Sequence, residues 1–182
     1  MALRNADLPE QALTRFQRLA EELDDPWRRN QARLATADLK RQLGQNRQAL
    51  ADEESILDEL DPDSWQARQV LDRIEDALLK AGQTDDLLQL LNQRLERSGY
   101  QAEIVQRIVR LLRLRNRSAE ALQLLEQQLT AAPQDRSLRL LLIDEYTRSG
   151  RNADAVEQYR SLESAGLLRP ADREAWGRLL LS

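Results

Sequence analysis

The sequence contains no cysteine and no histidine. Disulfides, zinc sites, and catalysis through a thiolate or an imidazole are therefore excluded. The missing cysteine leaves the compartment open. Aromatic residues make up 4% of the 182 residues, which disfavours a large globular core and favours thin layers of Leu- and Ala-rich helix. Lysine is nearly absent: Lys40 and Lys80 stand among 27 basic side chains. The net charge of -4 argues against wholesale coating of nucleic acid, so a nucleic-acid partner is not expected. No run approaches the ~18 apolar residues of a membrane span. No apolar stretch follows Met1-Ala2-Leu3-Arg4-Asn5 as a secretory leader requires, and a cytoplasmic location is the default expectation. Hydrophobic content of 41% nevertheless exceeds what a disordered chain carries.

What the chain does contain is a period. Gly82, Asn116 and Gly150 fall 34 residues apart. The same step relates Ile74, Ile108 and Leu142; Leu78, Leu112 and Tyr146; and Leu87, Ala121 and Ala155. Four matched columns at one spacing mean a stacked array of small units, each burying its apolar face on its neighbours. Pro26, Pro62, Pro133 and Pro170 separate apolar-periodic segments, and Gly44, Gly82 and Gly150 break the segments in between. The pattern predicts helices over 9–23, 27–43, 47–60, 65–81, 84–98, 102–115, 118–131, 136–149, 152–164 and 171–181. In 118–131, Ala121, Leu122, Leu125 and Leu129 form one stripe, with Ser118 expected as the N-cap; Thr84 and Asn152 take that role in the neighbouring units.

These residues resemble the tetratricopeptide repeat, a helix-turn-helix unit. The unit from Arg136 supplies Leu142, Tyr146, Gly150, Ala155 and Tyr159. The unit from Ala102 supplies Ile108, Leu112, Ala121, Leu125 and Pro133, with Asn116 at the turn. The unit from Arg68 supplies Leu71, Ile74, Leu78, Gly82 and Leu91, with Leu87 where alanine is usual. A degenerate unit near Asn30 keeps Ala37, Gly44 and Ala49 but puts Thr36 and Lys40 in core columns. Ala12 and Phe16 look like the second helix of a unit lacking its first. Trp176 and Leu179 look like the first helix of a unit lacking its second. The segment from Asp61-Pro62-Asp63-Ser64-Trp65 onward is also similar to very large multi-repeat bacterial proteins. The resemblance implies an all-α solenoid of antiparallel helix pairs forming a right-handed superhelix, cut from a longer array. Its units are a half repeat 1–26, repeats 27–63, 64–101, 102–135 and 136–169, and a half repeat 170–182.

The same resemblance implies a non-enzymatic scaffold that binds a protein or peptide along a concave face lined by the first helix of each unit. Its candidate residues are Arg73, Asp76, Arg107, Arg110, Arg113, Asp144 and Arg148. Arg107, Arg110 and Arg113 recur every third residue and share one helical side. Guanidinium forks suit carboxylates, so an acidic partner is one reading. The other is that these arginines pair with Asp72, Asp76 and Asp144 on adjacent helices. The two-carboxylate clamp of chaperone adaptors is not matched, because Asp72 and Asp76 stand where it wants Lys and Asn. Two rivals remain: an architectural or self-associating segment of a long rod, with homo-oligomerisation through ends exposing Phe16, Trp176 and Leu180, and an RNA-binding helical-repeat protein.

Other constellations reduce to structure. Asp24-Asp25, Asp52-Glu53-Glu54 and Asp85-Asp86 are adjacent acids pointing about 100° apart on a helix, unlike a catalytic pair facing one cleft, and are expected on a solvated surface or at a helix start. Asp61 and Asp63 hint at a calcium loop, but Gln66 and Asp72 fill the places of its glycine and glutamate, so a turn and N-cap is expected. Phosphate-binding and nucleophile-elbow motifs are missing, and neither a metal nor a cofactor is expected. Trp27, Trp65 and Trp176 each open a helix after a unit junction and are expected to pack between units.

Overall fold

A computed structural model describes residues 3–181. Met1 and Ala2, on which the leader reading partly rests, lie outside the described residues, as does Ser182. Ten α-helices follow one another: α1 (Leu3–Glu22), α2 (Pro26–Gln42), α3 (Asn46–Glu59), α4 (Trp65–Lys80), α5 (Thr84–Ser98), α6 (Ala102–Leu114), α7 (Ser118–Ala131), α8 (Arg136–Arg148), α9 (Asn152–Ser164) and α10 (Pro170–Leu180). No strand occurs among the described residues. The chain divides into two compact units, Met1–Gln83 and Thr84–Ser182. In the first, α1 packs on α2, α2 on α3 and α3 on α4. In the second, each helix from α5 to α10 packs on the next, and α6 also touches α8, the next-but-one contact of a stacked array. Short connections make consecutive helices antiparallel. This is an all-α solenoid of helix pairs.

The period in the sequence marks where the first helix of each pair stops. At Gly82, φ is +71°; its N–H reaches Leu79 O at 3.0 Å and the Gln83 N–H reaches Leu78 O at 2.8 Å. These two bonds close the last carbonyls of α4 in a Schellman turn, which needs a left-handed residue. Asn116, with φ 55°, does the same for α6: its N–H bonds to Arg113 O at 3.0 Å and that of Arg117 to Leu112 O at 2.8 Å. Asparagine substitutes for glycine there because its short polar side chain tolerates this region.

All nine apolar members of the other three columns are buried, from Ile74 to Ala155. Each buried Leu or Ile contributes about 1.5–3 kcal/mol relative to exposure. In the degenerate unit the polar core residues are satisfied locally. Thr36 Oγ1 donates to Ala32 O at 3.0 Å, and Lys40 Nζ meets Asp52 Oδ2 at 2.5 Å.

Several local expectations are corrected. Ser118 and Asn152 do not cap; they occupy the first helical position behind Arg117 and Arg151, and Thr84 likewise begins α5. The left-handed residue is followed by a single residue before the next helix, so Arg117 both closes α6 and precedes α7. Side-chain caps come instead where the connection is longer: Asp25 accepts from the Arg28 N–H at 2.7 Å, Ser64 from Ala67 at 3.1 Å and Asp135 from Leu138 at 2.9 Å. Asp61 accepts from the Asp63 N–H at 2.9 Å, the expected turn. Helix α1 continues ahead of Pro9, although proline favours a first turn. Trp27 and Trp65 are 49% and 56% exposed rather than packed between units. At the first positions of a helix the side chain leans back past its N-terminus, and the buried face of α4 begins at Ala67 and Val70.

Candidate functional site

The candidate residues fall on the first helices of the pairs, and the structure records where their charges go. In the first unit, Arg73 of α4 extends Nη2 to Asp38 Oδ1 at 2.5 Å and Nε to Glu53 Oε1 at 3.0 Å. Glu53 is fully buried and is also gripped by both terminal nitrogens of Arg41. Burial disfavours the Arg73 charge, but Asp38 and Glu53 outweigh it and hold the guanidinium above its ordinary value. Asp76 pairs with Lys80 on the same exposed helical turn at 2.6 Å.

In the second unit, Arg107 is buried and reaches Glu103 Oε1 at 2.7 Å. Arg110, one turn on, is exposed. Arg113 bridges α6 to α8: Nε meets Glu145 Oε2 at 2.5 Å and Nη2 meets Asp144 Oδ2 at 2.7 Å. Arg148 holds the same Asp144 through Nε, at 3.2 and 3.1 Å to its two oxygens. Asp144 is thus shared by two guanidinium groups. An arginine already paired within the molecule has less to offer a new carboxylate.

Two features escaped the sequence reading. Glu53 and Glu145 are buried carboxylates in columns that are otherwise apolar; Glu145 stands 34 residues after Leu111, which is buried. That anomaly was the available signal. The second feature is a groove of about 390 Å³ formed by α8, α9 and α10, lined by Leu140, Ile143, Asp144, Thr147, Tyr159, Ala175, Arg178 and Leu179. Leu140, Ile143, Asp144 and Thr147 form one face of α8, and Ala175, Arg178 and Leu179 one face of α10, both at helical spacing. Behind them Tyr159 stacks on Trp176, with ring centroids 5.9 Å apart and planes 13° from parallel. Burial, reinforced by nearby Asp172, raises the Tyr159 phenol above its ordinary value.

An ion-pair clamp holds the start of helix α10. Arg136 Nη2 meets both oxygens of Asp172, at 2.8 and 2.6 Å, and Nε reaches Leu167 O at 3.1 Å. The Arg169 N–H donates to Asp172 Oδ2 at 2.7 Å. Burial would raise the Asp172 carboxyl, but Arg136 and the Arg169 N–H outweigh it and hold it below its ordinary value.

No cluster of three or more metal-ligating side chains occurs among the described residues. Among them no helix is long and apolar enough to cross a membrane.

A family model described as the bacterial transcriptional activator domain matches residues 72–166, more than half the chain. The crystal structure of a thermophilic TPR protein from Thermus thermophilus aligns with a TM-score of 0.52 and 24% identity, covering 100% of this chain and 95% of that one. No curated protein matches. The likeness shows the fold, a tetratricopeptide-like all-α solenoid of the kind the residue columns imply.

Proposed function

The chain belongs to the bacterial transcriptional activator domain family, and from that premise we propose that it is a non-catalytic scaffold binding a protein partner along the first-helix faces of its repeats. The observation that carries this reading is the groove of α8 and α10, where two helix faces at regular spacing present apolar side chains with charged ones at the rim. Repeat scaffolds use such concave surfaces for extended or helical peptides. The family's description supports a setting in gene activation, with the scaffold receiving another protein there. The repeats it would present are 27–63, 64–101, 102–135 and 136–169. The contact residues are drawn from Arg73, Asp76, Arg107, Arg110, Arg113, Asp144 and Arg148, with Arg110 the exposed member of the arginine stripe.

The test is affinity capture from the source lysate by wild type and Arg110→Glu, with circular dichroism showing both helical. Arg107→Glu is unsuited as the sole variant, because Arg107 is buried and its reversal would unfold the site. A partner retained by wild type and lost by folded Arg110→Glu supports the scaffold. Recovery of nothing but the chain itself, by both proteins, overturns it.

A second reading, self-association, rests on two exposures. Phe16 is 36% and Leu180 60% exposed, whereas Tyr159 and Tyr146, in the matching columns, are buried. Light scattering that shows a concentration-dependent mass, abolished by Phe16→Glu, would favour it.

A further inference from the structure

We propose that the groove between α8, α9 and α10 is the specific docking site of the scaffold, and that it takes an acidic–aliphatic segment of a partner protein. This inference rests on the scaffold reading and gives it a locus and a ligand chemistry. The groove floor is apolar: Leu140, Ile143, Ala175 and Leu179 supply two helix faces set for a bulky aliphatic side chain. Polar complementarity sets the sign of the rest of the ligand. Asp144, the acid of the groove, is occupied by Arg113 at 2.7 Å and Arg148 at 3.1 Å. Arg178 also lines the groove, is exposed, and makes no ion pair among the described residues. The Tyr159 hydroxyl likewise makes no hydrogen bond among them. The groove therefore offers one hydroxyl donor awaiting an acceptor and one guanidinium awaiting a carboxylate, beside its apolar floor. A basic ligand would find its natural acceptor already paired twice and would face Arg178 as a like charge.

The locus differs from the arginine stripe of α6. Arg107 and Arg113 of that stripe spend charge on Glu103, Asp144 and Glu145. Arg178 sits on α10, 34 residues after Asp144 and 68 after Arg110, so it repeats the Arg110 column on a different helix.

The experiment uses the full chain and three sets of fluorescein-labelled peptides of equal length: leucine with glutamate, leucine with lysine, and serine with glutamate. Binding is read by anisotropy. A second readout is Trp176 emission in a Trp27→Phe/Trp65→Phe background, since Trp176 stacks on Tyr159 of the groove. The leucine–glutamate set is expected to bind and to shift Trp176 emission. Arg178→Glu should weaken it about tenfold or more and turn the preference toward the leucine–lysine set, a loss of about 1.4 kcal/mol. Leu140→Asp should abolish binding of both leucine sets. Circular dichroism confirms the fold of each variant. Equal binding of all sets, or binding indifferent to Arg178→Glu, overturns the groove. Leucine–glutamate binding lost in Arg110→Glu but kept in Arg178→Glu overturns it while leaving the scaffold standing. No binding by any set overturns both. A wild-type dimer that Arg178→Glu dissociates assigns the groove to a second copy and overturns the peptide.

Discussion

Gly82 and Gly177 make opposite demands on an alanine. Neither has an atom within 4 Å of where a Cβ would stand, so sterics from neighbours cancel. Gly82 holds φ at +71° to end α4, a region an L side chain enters at a cost of about 1–2 kcal/mol. Gly177 lies inside α10 with no left-handed φ, where alanine gains about 0.8–1 kcal/mol of helix propensity. Gly82→Ala should lower, and Gly177→Ala should raise, the urea midpoint at an unchanged slope. Equal effects would remove the Schellman argument. This scale was the most legible in the sequence. A left-handed turn residue can be only a few residue types, so Gly82, Asn116 and Gly150 show through as a period beside the three apolar columns. What the residue scale hid was the helix start. Ser118 and Asn152 have capping chemistry, but one residue fewer in the connection places them inside the helix, and composition carries no record of that count.

Between elements, partners remote in the chain decide which charges are structural. Arg113 and Glu145 meet across α6 and α8 at 2.5 Å, and no local pattern announces the pair. Its two halves should respond unequally. Glu145 is fully buried, with one carboxylate oxygen lacking a hydrogen bond, in a column that holds leucine at 111. Glu145→Leu removes a costly buried charge and leaves Arg113 its contact with Asp144, so stability should change by no more than about 1 kcal/mol in either direction. Arg113→Ala strands the buried carboxylate and should cost about 3 kcal/mol. Chemical denaturation of both variants checks the asymmetry; equal losses would show that the pair itself stabilises. The clamp on α10 makes a pH-dependent counterpart. Asp172 has its carboxyl held below the ordinary 3.8 by Arg136 and the Arg169 N–H. A depressed carboxyl contributes stability above its unfolded value and loses it as pH falls through the lower folded value. Asp172→Ala should therefore destabilise the fold at neutral pH, and the gap to wild type should narrow as the pH falls below about 3.8. Hydrogen exchange should speed up chiefly in α10, since each repeat element depends on its neighbour. A gap that persists in acid would mean the aspartate acts by packing rather than by charge.

At the scale of the whole molecule, charge and family pull apart. The family is described by transcriptional activation, and 27 basic side chains could serve a nucleic acid, yet the net charge is -4. Phosphate binding depends on lysines and arginines whose counterions can be released, not on their number in the composition. In each unit the arginines that looked most available are committed: Arg73 to Asp38 and Glu53, Arg107 to Glu103, and Arg113 and Arg148 to Asp144. Sequence made the fold plain, because burial columns repeat, but left the stripe undecided, because pairing depends on the packing of helices remote in the chain. The pairs made by Arg107 and Arg113 predict weak, non-specific contact with nucleic acid at most. Titrated at about 150 mM salt, labelled single-stranded RNA and duplex DNA should bind with Kd no tighter than the roughly 10⁻⁴–10⁻⁶ M of non-specific complexes. Arg115 and Arg117 already share Asp85, at 3.0 and 3.1 Å, so Arg115→Glu and Arg117→Glu should leave that weak binding unchanged. A submicromolar complex that weakens steeply with salt and is lost in those variants would mean that the internal pairs open to admit phosphate, and the molecule would then be a reader of nucleic acid rather than a receiver of protein.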